Sequence, residues 1–298
     1  MSDQYTMQDP TTQYRKAGPD LAQYQGGPGL EQNMPDKPDA GEQSYRGTGR
    51  LTGRKALVTG GDSGIGGATA IAFAREGADV AIVHLPEEQS DADHVLEQIR
   101  AAGRTGVSIA GDLTDAAFAR GAVQQAHEAL GGLDALALVA GKQVTATDVA
   151  ELPDAQFVET YEVNVFAAFR MVQEAVPLLG PGSTIVLTAS LETYQASPER
   201  IDYASTKAAI NNLGKGLAQQ LAPKGIRVNV VAPGPTWTAL QVSHGIPAEE
   251  IAGYGSDTPL GRAAQPAELA PAYVFFSSPE SSFVVGATLA VNGGTPTP

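Results

Sequence analysis

From residue 51 onward the chain alternates short apolar runs with longer stretches in which apolar residues recur every three or four positions. The runs fall at 55–59, 79–84, 106–110, 133–140, 184–189, 226–232 and 287–291. Most are rich in β-branched residues and apolar on both faces, as strands buried in a parallel sheet should be. Helical periodicity fills the gaps, over 65–76, 88–102, 115–130, 155–179, 203–222 and 266–277. In the fifth of these, Ile210, Leu213, Leu217 and Leu221 share one stripe, and Pro223 and Gly225 supply a stop signal. The alternation predicts a single doubly wound α/β sheet flanked by helices.

The first fifty residues break this pattern. Pro10, Pro19, Pro28, Pro35 and Pro38 stand among seven glycines, with almost no aliphatic periodicity. That composition ordinarily leaves a segment disordered. Yet Tyr5, Tyr14, Tyr24 and Tyr45 account for four of the nine tyrosines, and amphipathic rings at intervals suit an extended segment lying on a folded surface. The expectation is an extended N-terminal arm over 1–50, crossing the body or a neighbouring subunit, and one folded domain over 51–298.

With 298 residues, 42% of them hydrophobic, the chain can bury one large core. The absence of cysteine excludes disulfides, thiolate nucleophiles and cysteine metal sites. The histidines at 84, 94, 127 and 244 form no H-E-x-x-H arrangement, so no metal site is expected. No apolar stretch reaches bilayer length and no signal-peptide core opens the chain, which leads to the expectation of a cytoplasmic protein without a membrane partner. A net charge of −14 repels phosphate backbones, so nucleic acid is not an expected partner.

Candidate chemistry gathers at the ends of the apolar runs. After Lys55–Thr59 come Gly60, Gly64 and Gly66, and then a helical pattern through Ala68, Ile71, Ala72 and Phe73. Glycines are needed where backbone turns tightly, approaches a pyrophosphate, and lets a helix start pack on a strand. The helix start offers free N–H groups to an anion. The spacing is not G-x-G-x-x-G, but the strand–turn–helix context points to a dinucleotide. Much further on, Tyr203 and Lys207 stand four apart in IDYASTKAAI, on one helix face, with Ser190 thirteen residues ahead of the tyrosine. An adjacent cation lowers a phenol's pKa from its usual ~10. Working near pH 7 takes about 4 kcal/mol from the surroundings. Alone, such a pair is an ordinary surface pair; the nucleotide site upstream is what gives it meaning.

Together these motifs resemble the short-chain dehydrogenases/reductases, whose T-G-x-x-x-G-I-G and Y-x-x-x-K stand here as Thr59 to Gly66 and Tyr203 to Lys207. The likeness spans 51–298 and includes Asp112–Leu113, Asn164 in YEVNVF, Ser190 in VLTAS, Pro233–Gly234 in NVVAPGP, and Val291 to Gly294. TGGDSGIG, DYASTK, VAPGPTWT and the long N-terminus resemble a bacterial subgroup of general stress oxidoreductases, NADP-dependent aldehyde reductases and glucose/ribitol-type dehydrogenases. Its tail is echoed by PTTQY, GGPGLE and SYRGTGRLTGR.

The resemblance implies a Rossmann-type domain with seven parallel strands in the order 3-2-1-4-5-6-7, assembled as a homotetramer. It implies an NAD(P)-dependent oxidoreductase acting on small aldehydes, ketones or polyols. Tyr203 would be the general acid in reduction and the base in oxidation, with Lys207 lowering its pKa and holding the nicotinamide ribose. Ser190 would hydrogen-bond the substrate oxygen, and Asn164 would hold a relaying water. Singly, Ser190 would be a strand-end serine bonding its own backbone, and Asn164 a buried amide. The cofactor is expected against Gly60, Asp62, Ser63, Gly64, Ile65, Gly66, His84, Asp112, Leu113, Ala140, Gly141, Pro233, Gly234, Thr236 and Thr238, besides Tyr203 and Lys207. Asp112 is expected on the adenine amino group and Thr238 on the nicotinamide carboxamide.

Between NAD(H) and NADP(H) the sequence leans to NAD(H). His84, at the end of the second strand, is followed by Leu85, Pro86, Glu87 and Glu88 with no arginine or lysine, and Gly67 stands where the subgroup often has arginine. One departure from the family is Leu138–Val139 in place of paired asparagines ahead of Ala140 and Gly141. An apolar pair can pack there, so the expected effect falls on cofactor affinity and the proton relay rather than on folding. Residues 236–258 are expected to form a lid, with Trp237 and Tyr254 as candidate lining. A substrate borne on an acidic carrier is disfavoured by like charge. A second reading stays open, a dinucleotide-binding sensor with little catalysis, although it has no need of Asn164, Ser190, Tyr203 and Lys207 together.

Overall fold

The computed structural model describes residues 3–18 and 23–297. Seven strands, β1 (Lys55–Thr59), β2 (Asp79–His84), β3 (Gly106–Ala110), β4 (Ala135–Leu138), β5 (Thr184–Thr188), β6 (Arg227–Pro233) and β7 (Thr288–Val291), form one sheet. Every neighbouring pair is parallel and the order is β3-β2-β1-β4-β5-β6-β7, as expected. The helices are α1 (Gly64–Arg75), α2 (Gln89–Ala101), α3 (Ala116–Leu130), α4 (Asp154–Tyr161), α5 (Ala167–Ala175), α6 (Ile201–Leu221) and α7 (Pro266–Ser277). Ile71, Phe73, Ile99 and Tyr273 bring α1, α2 and α7 into the core on one face. Val123, Met171 and Ile210 bring α3, α5 and α6 into the core on the other. Because strands buried on both faces need no polar alternation, the continuous apolar runs were sufficient to mark them. The chain winds outward from β1 in one direction and from β4 in the other, which leaves a crevice beyond their C-terminal ends.

The sequence pattern failed in one helix. The single helix predicted over 155–179 is divided by a π-helical turn at Glu162–Phe166 and ends at Ala175. Val176 keeps helical backbone, but Pro177 has no N–H with which to continue the ladder. The π turn carries Asn164, whose amide is fastened to the backbone of Lys142. Such turns are frequent at functional sites. β4 is also shorter than 133–140 because the amides of Val139 and Ala140 leave the ladder and donate to Thr59 Oγ1, at 2.9 and 3.1 Å.

The segment ahead of β1 lies on the body. Glu76, at the end of α1, accepts from the Tyr45 hydroxyl at 2.8 Å and from the amides of Thr48 and Arg50 at 2.9 Å. Arg262 donates to the Pro10 carbonyl at 2.9 Å and lies 5.3 Å from the centroid of the Tyr14 ring. Tyr45 is buried, whereas Tyr5 and Tyr24 are exposed. Pro19 falls outside the described residues. Among the described residues, no helix is long and apolar enough to cross a membrane.

Candidate active site

A cavity of about 1100 Å³ occupies the crevice. Every residue expected against the cofactor lines it, and so do Ser190, Tyr203 and Lys207. The glycine loop fits a pyrophosphate-bearing ligand on its own geometry. Gly60 and Gly64 adopt φ of 59° and 51°, left-handed backbone that favours glycine. A Cβ on Gly66 would lie 1.8 Å from the Gly60 carbonyl oxygen. The start of α1, with Ile65 and Gly66 on the wall, therefore presents backbone rather than side chains to the cavity.

Tyr203 lies in the first turn of α6 and Lys207 one turn later, both at the cavity. Lys207 Nζ donates to the Thr188 carbonyl at 3.0 Å and lies 5.3 Å from the centroid of the Tyr203 ring. A Cβ on Gly141 would sit 3.4 Å from both Lys207 Nζ and Asn164 Oδ1, so the two groups approach the strand-end backbone at the same residue. Burial pushes the Tyr203 phenol up to about 12, with the Ser190 hydroxyl opposing the rise. Burial also pushes the Lys207 ammonium down to about 8. The expected acidification of the phenol is thus reversed here. Loss of water around the ring outweighs any help from the lysine, whose amine is turned to a backbone carbonyl.

Ser190 Oγ accepts from the Glu192 amide at 3.2 Å, bonding its own backbone. Asn164 lies behind the cavity wall, beside a space of about 10 Å³ shared with Ala140 and Thr188. Its Oδ1 accepts from Lys142 N at 2.7 Å, and its Nδ2 donates to Lys142 O at 2.9 Å and Thr206 Oγ1 at 3.0 Å. Here it acts as a satisfied buried amide that fixes the backbone after Gly141.

At the other end of the cavity, His84 is 3% exposed and both ring nitrogens are committed to protein. Nδ1 faces the Leu85 carbonyl and Nε2 the Ser108 hydroxyl, each at 2.7 Å. The ring therefore lines the cavity as expected, with both nitrogens already hydrogen-bonded to protein. Asp112 accepts from the Thr114 amide at 2.8 Å and so closes its own loop at the cavity edge. Burial pushes the Asp62 and Glu88 carboxyls up, and at Glu88 the nearby Asp62 charge adds to the rise. Among the described residues, the lysines and arginines on the wall are Lys142, Arg200 and Lys207, all from the β4–α6 side.

Thr236 and Thr238 lie on the wall, and the Tyr254 hydroxyl accepts from the Thr236 amide at 3.3 Å. Trp237 is not lining: it is buried among Met34, Val242, Ile246 and Ile251. Leu138 packs in the core and Val139 against the opposite cluster, so the apolar pair is accommodated. Sequence reasoning missed Asp202, which is fully buried and accepts from the Tyr203 amide at 2.8 Å, Thr160 Oγ1 at 2.9 Å and Gln156 Nε2 at 3.2 Å. An acid opening a helix directly before the tyrosine was the available signal. It also missed Glu31, whose carboxylate reaches the glycine loop.

Residues 60–296 match the family model described as enoyl-(acyl carrier protein) reductase. The chain is 56% identical to "Uncharacterized oxidoreductase YghA" of Escherichia coli, over 97% of this chain and 98% of that one. It is 37% identical to "NADPH-dependent aldehyde reductase 1, chloroplastic" of Arabidopsis thaliana, over 90% and 94%. A solved short chain dehydrogenase of Burkholderia cenocepacia in complex with NADP superposes with a TM-score of 0.73 at 35% identity, covering 82% of this chain and 98% of that one. The chain belongs to the short-chain dehydrogenase/reductase family of oxidoreductases.

Proposed function

We propose that the protein transfers hydride between a nicotinamide dinucleotide and a small aldehyde, ketone or polyol, with Tyr203 moving the proton. The observation that carries this reading is the convergence of Ser190, Tyr203 and Lys207 on the cavity that the glycine loop also lines. When bound, the nicotinamide ring supplies or accepts the hydride. As a carbonyl oxygen gains negative charge, the Tyr203 hydroxyl donates its proton to that oxygen and the Ser190 hydroxyl donates a hydrogen bond to it. A phenol held near 12 keeps its proton at neutral pH, the state that reduction needs. Lys207, anchored on Thr188 at the cavity, would have ammonium protons left to hold a nicotinamide ribose. Asn164 holds the strand-end backbone beside them.

The likeness to an NADPH-dependent reductase and to an NADP complex favours NADP(H), and the sequence lean to NAD(H) finds no support in these relatives. One observation favours NAD(H) as a second reading. Asp62 and Glu88 lie on the cavity wall at the end beside β2, and a ribose 2′-phosphate there would meet like charge. The proposal includes the arm over 1–50, the catalytic domain over 51–298 and a homo-oligomer. Phe157, Val158, Phe166 and Phe169 are exposed along α4–α5, an apolar face that suits a second copy. An acidic acyl carrier is a poor fit for a chain of charge −14.

Steady-state turnover of a panel of aldehydes, ketones and sugars with NADH and NADPH tests the reading. Turnover that vanishes in Tyr203→Phe supports it. Dinucleotide binding without turnover, unchanged in Tyr203→Phe, would favour the sensor.

A further inference from the structure

Part of the arm bridges the glycine loop and the lid. Glu31 Oε2 accepts the Gly64 amide at 2.9 Å, the first amide of α1, while the preceding Ser63 makes no side-chain cap of its own. The backbone of this segment is in turn held by Asp91 of α2. Its Oδ2 accepts Glu31 N at 2.6 Å and its Oδ1 accepts Gln32 N at 3.0 Å. Glu31 is not on the cavity wall, so it braces the loop from behind and leaves Ile65 and Gly66 facing the cavity.

The same segment grips the lid. Gln25 N donates to Val242 O at 2.9 Å, and Trp237 Nε1 donates to Asp36 O at 3.0 Å. Met34 is buried against Trp237 and Val242. Gly29 packs so closely that a Cβ would lie 2.5 Å from the Ala239 carbonyl oxygen. Gly27, Pro28 and Gly29 themselves form a stretch of the cavity wall.

We propose that residues 25–36 are a working part of the dinucleotide site, in which Glu31 is a positioning residue for the start of α1 and the Gly27–Gly29 turn closes the cavity against the lid. The inference rests on the dinucleotide reading above. Helix-start amides hold an anion well only when their backbone is fixed. Here the first amide is fixed by a side chain from another segment, and the following two remain for the ligand. The lid reaches the loop through the arm, so both walls of the site share one brace.

Calorimetric titration of NADH and NADPH into the full-length protein tests this, with wild type, Glu31→Ala and Glu31→Gln. Loss of the cap in Glu31→Ala is expected to raise the dinucleotide Kd about fivefold, with the effect falling on KM rather than kcat. Glu31→Gln keeps an acceptor oxygen and is expected to stay within about twofold of wild type. Gly29→Ala sets a methyl against the lid and leaves α1 untouched. It is expected to raise the dinucleotide KM and to shift the emission of Trp237, the single tryptophan. If Glu31→Ala does not fold, Gly29→Ala decides the matter. Wild-type affinity in the folded variants overturns the inference. If the wild type itself binds neither dinucleotide, it is the dinucleotide reading that falls.

Discussion

Lys207 lies 5.3 Å from the centroid of the Tyr203 ring, yet its amine is spent on the Thr188 carbonyl rather than on the phenol. The two groups are displaced in opposite senses by the same cause, the phenol upward and the ammonium downward, because burial disfavours charge on either. The pair is held ready by desolvation, and the phenol is a proton donor first.

A pH dependence follows with a definite sign. Lys207 falls from 10.5 to about 8 on folding, so the folded chain binds fewer protons than the unfolded chain between those values. The cost of the buried ammonium is fully present below pH 8 and is relieved as pH rises toward 10.5. Lys207→Met is therefore expected to melt above wild type at pH 7, with the difference shrinking by pH 10. Melting curves of both proteins across that range check it, and a gap that widens with pH contradicts it.

The carboxylates beside β2 predict the response of cofactor choice. Glu88 is on the cavity wall with its carboxyl pushed up by burial and by Asp62. Glu88→Lys replaces repulsion by attraction for a 2′-phosphate, and the ratio of kcat/KM for NADPH over NADH is expected to rise about tenfold or more. An unchanged ratio would place the ribose elsewhere.

Asp202 fixes Tyr203 from outside the cavity. Asp202→Ala removes the carboxylate that gathers Thr160 Oγ1, Gln156 Nε2 and the Tyr203 amide, although Thr160 Oγ1 keeps its bond to the Gln156 carbonyl. The expected loss is about 1–3 kcal/mol of stability in urea, accompanied by a fall in kcat as the tyrosine loses its anchor. A variant with wild-type stability would show that these bonds contribute nothing net.

The sheet was legible because parallel strands buried on both faces carry unbroken apolar runs, and the glycine loop because its backbone geometry admits few other residues. What escaped the sequence depends on contacts between distant segments. The π turn at Glu162–Phe166 accompanies the meeting of Asn164 with Lys142. Glu31 reaches Gly64 from a segment with no periodicity to read. His84 was placed at the cavity correctly, but its saturation by Leu85 and Ser108 is a tertiary fact. Trp237 was a candidate for lining the cavity, and it packs instead with Met34 of the arm and with Val242, Ile246 and Ile251 in a separate core.

The central claim is that one hydroxyl, on Tyr203, carries the proton that accompanies hydride transfer. Single-turnover and steady-state kinetics of Tyr203→Phe, with dinucleotide affinity measured in parallel, test it most directly. The account predicts a loss in kcat of roughly 10²–10⁴-fold, with dinucleotide Kd within about threefold of wild type. Wild-type turnover by the phenylalanine variant would contradict it.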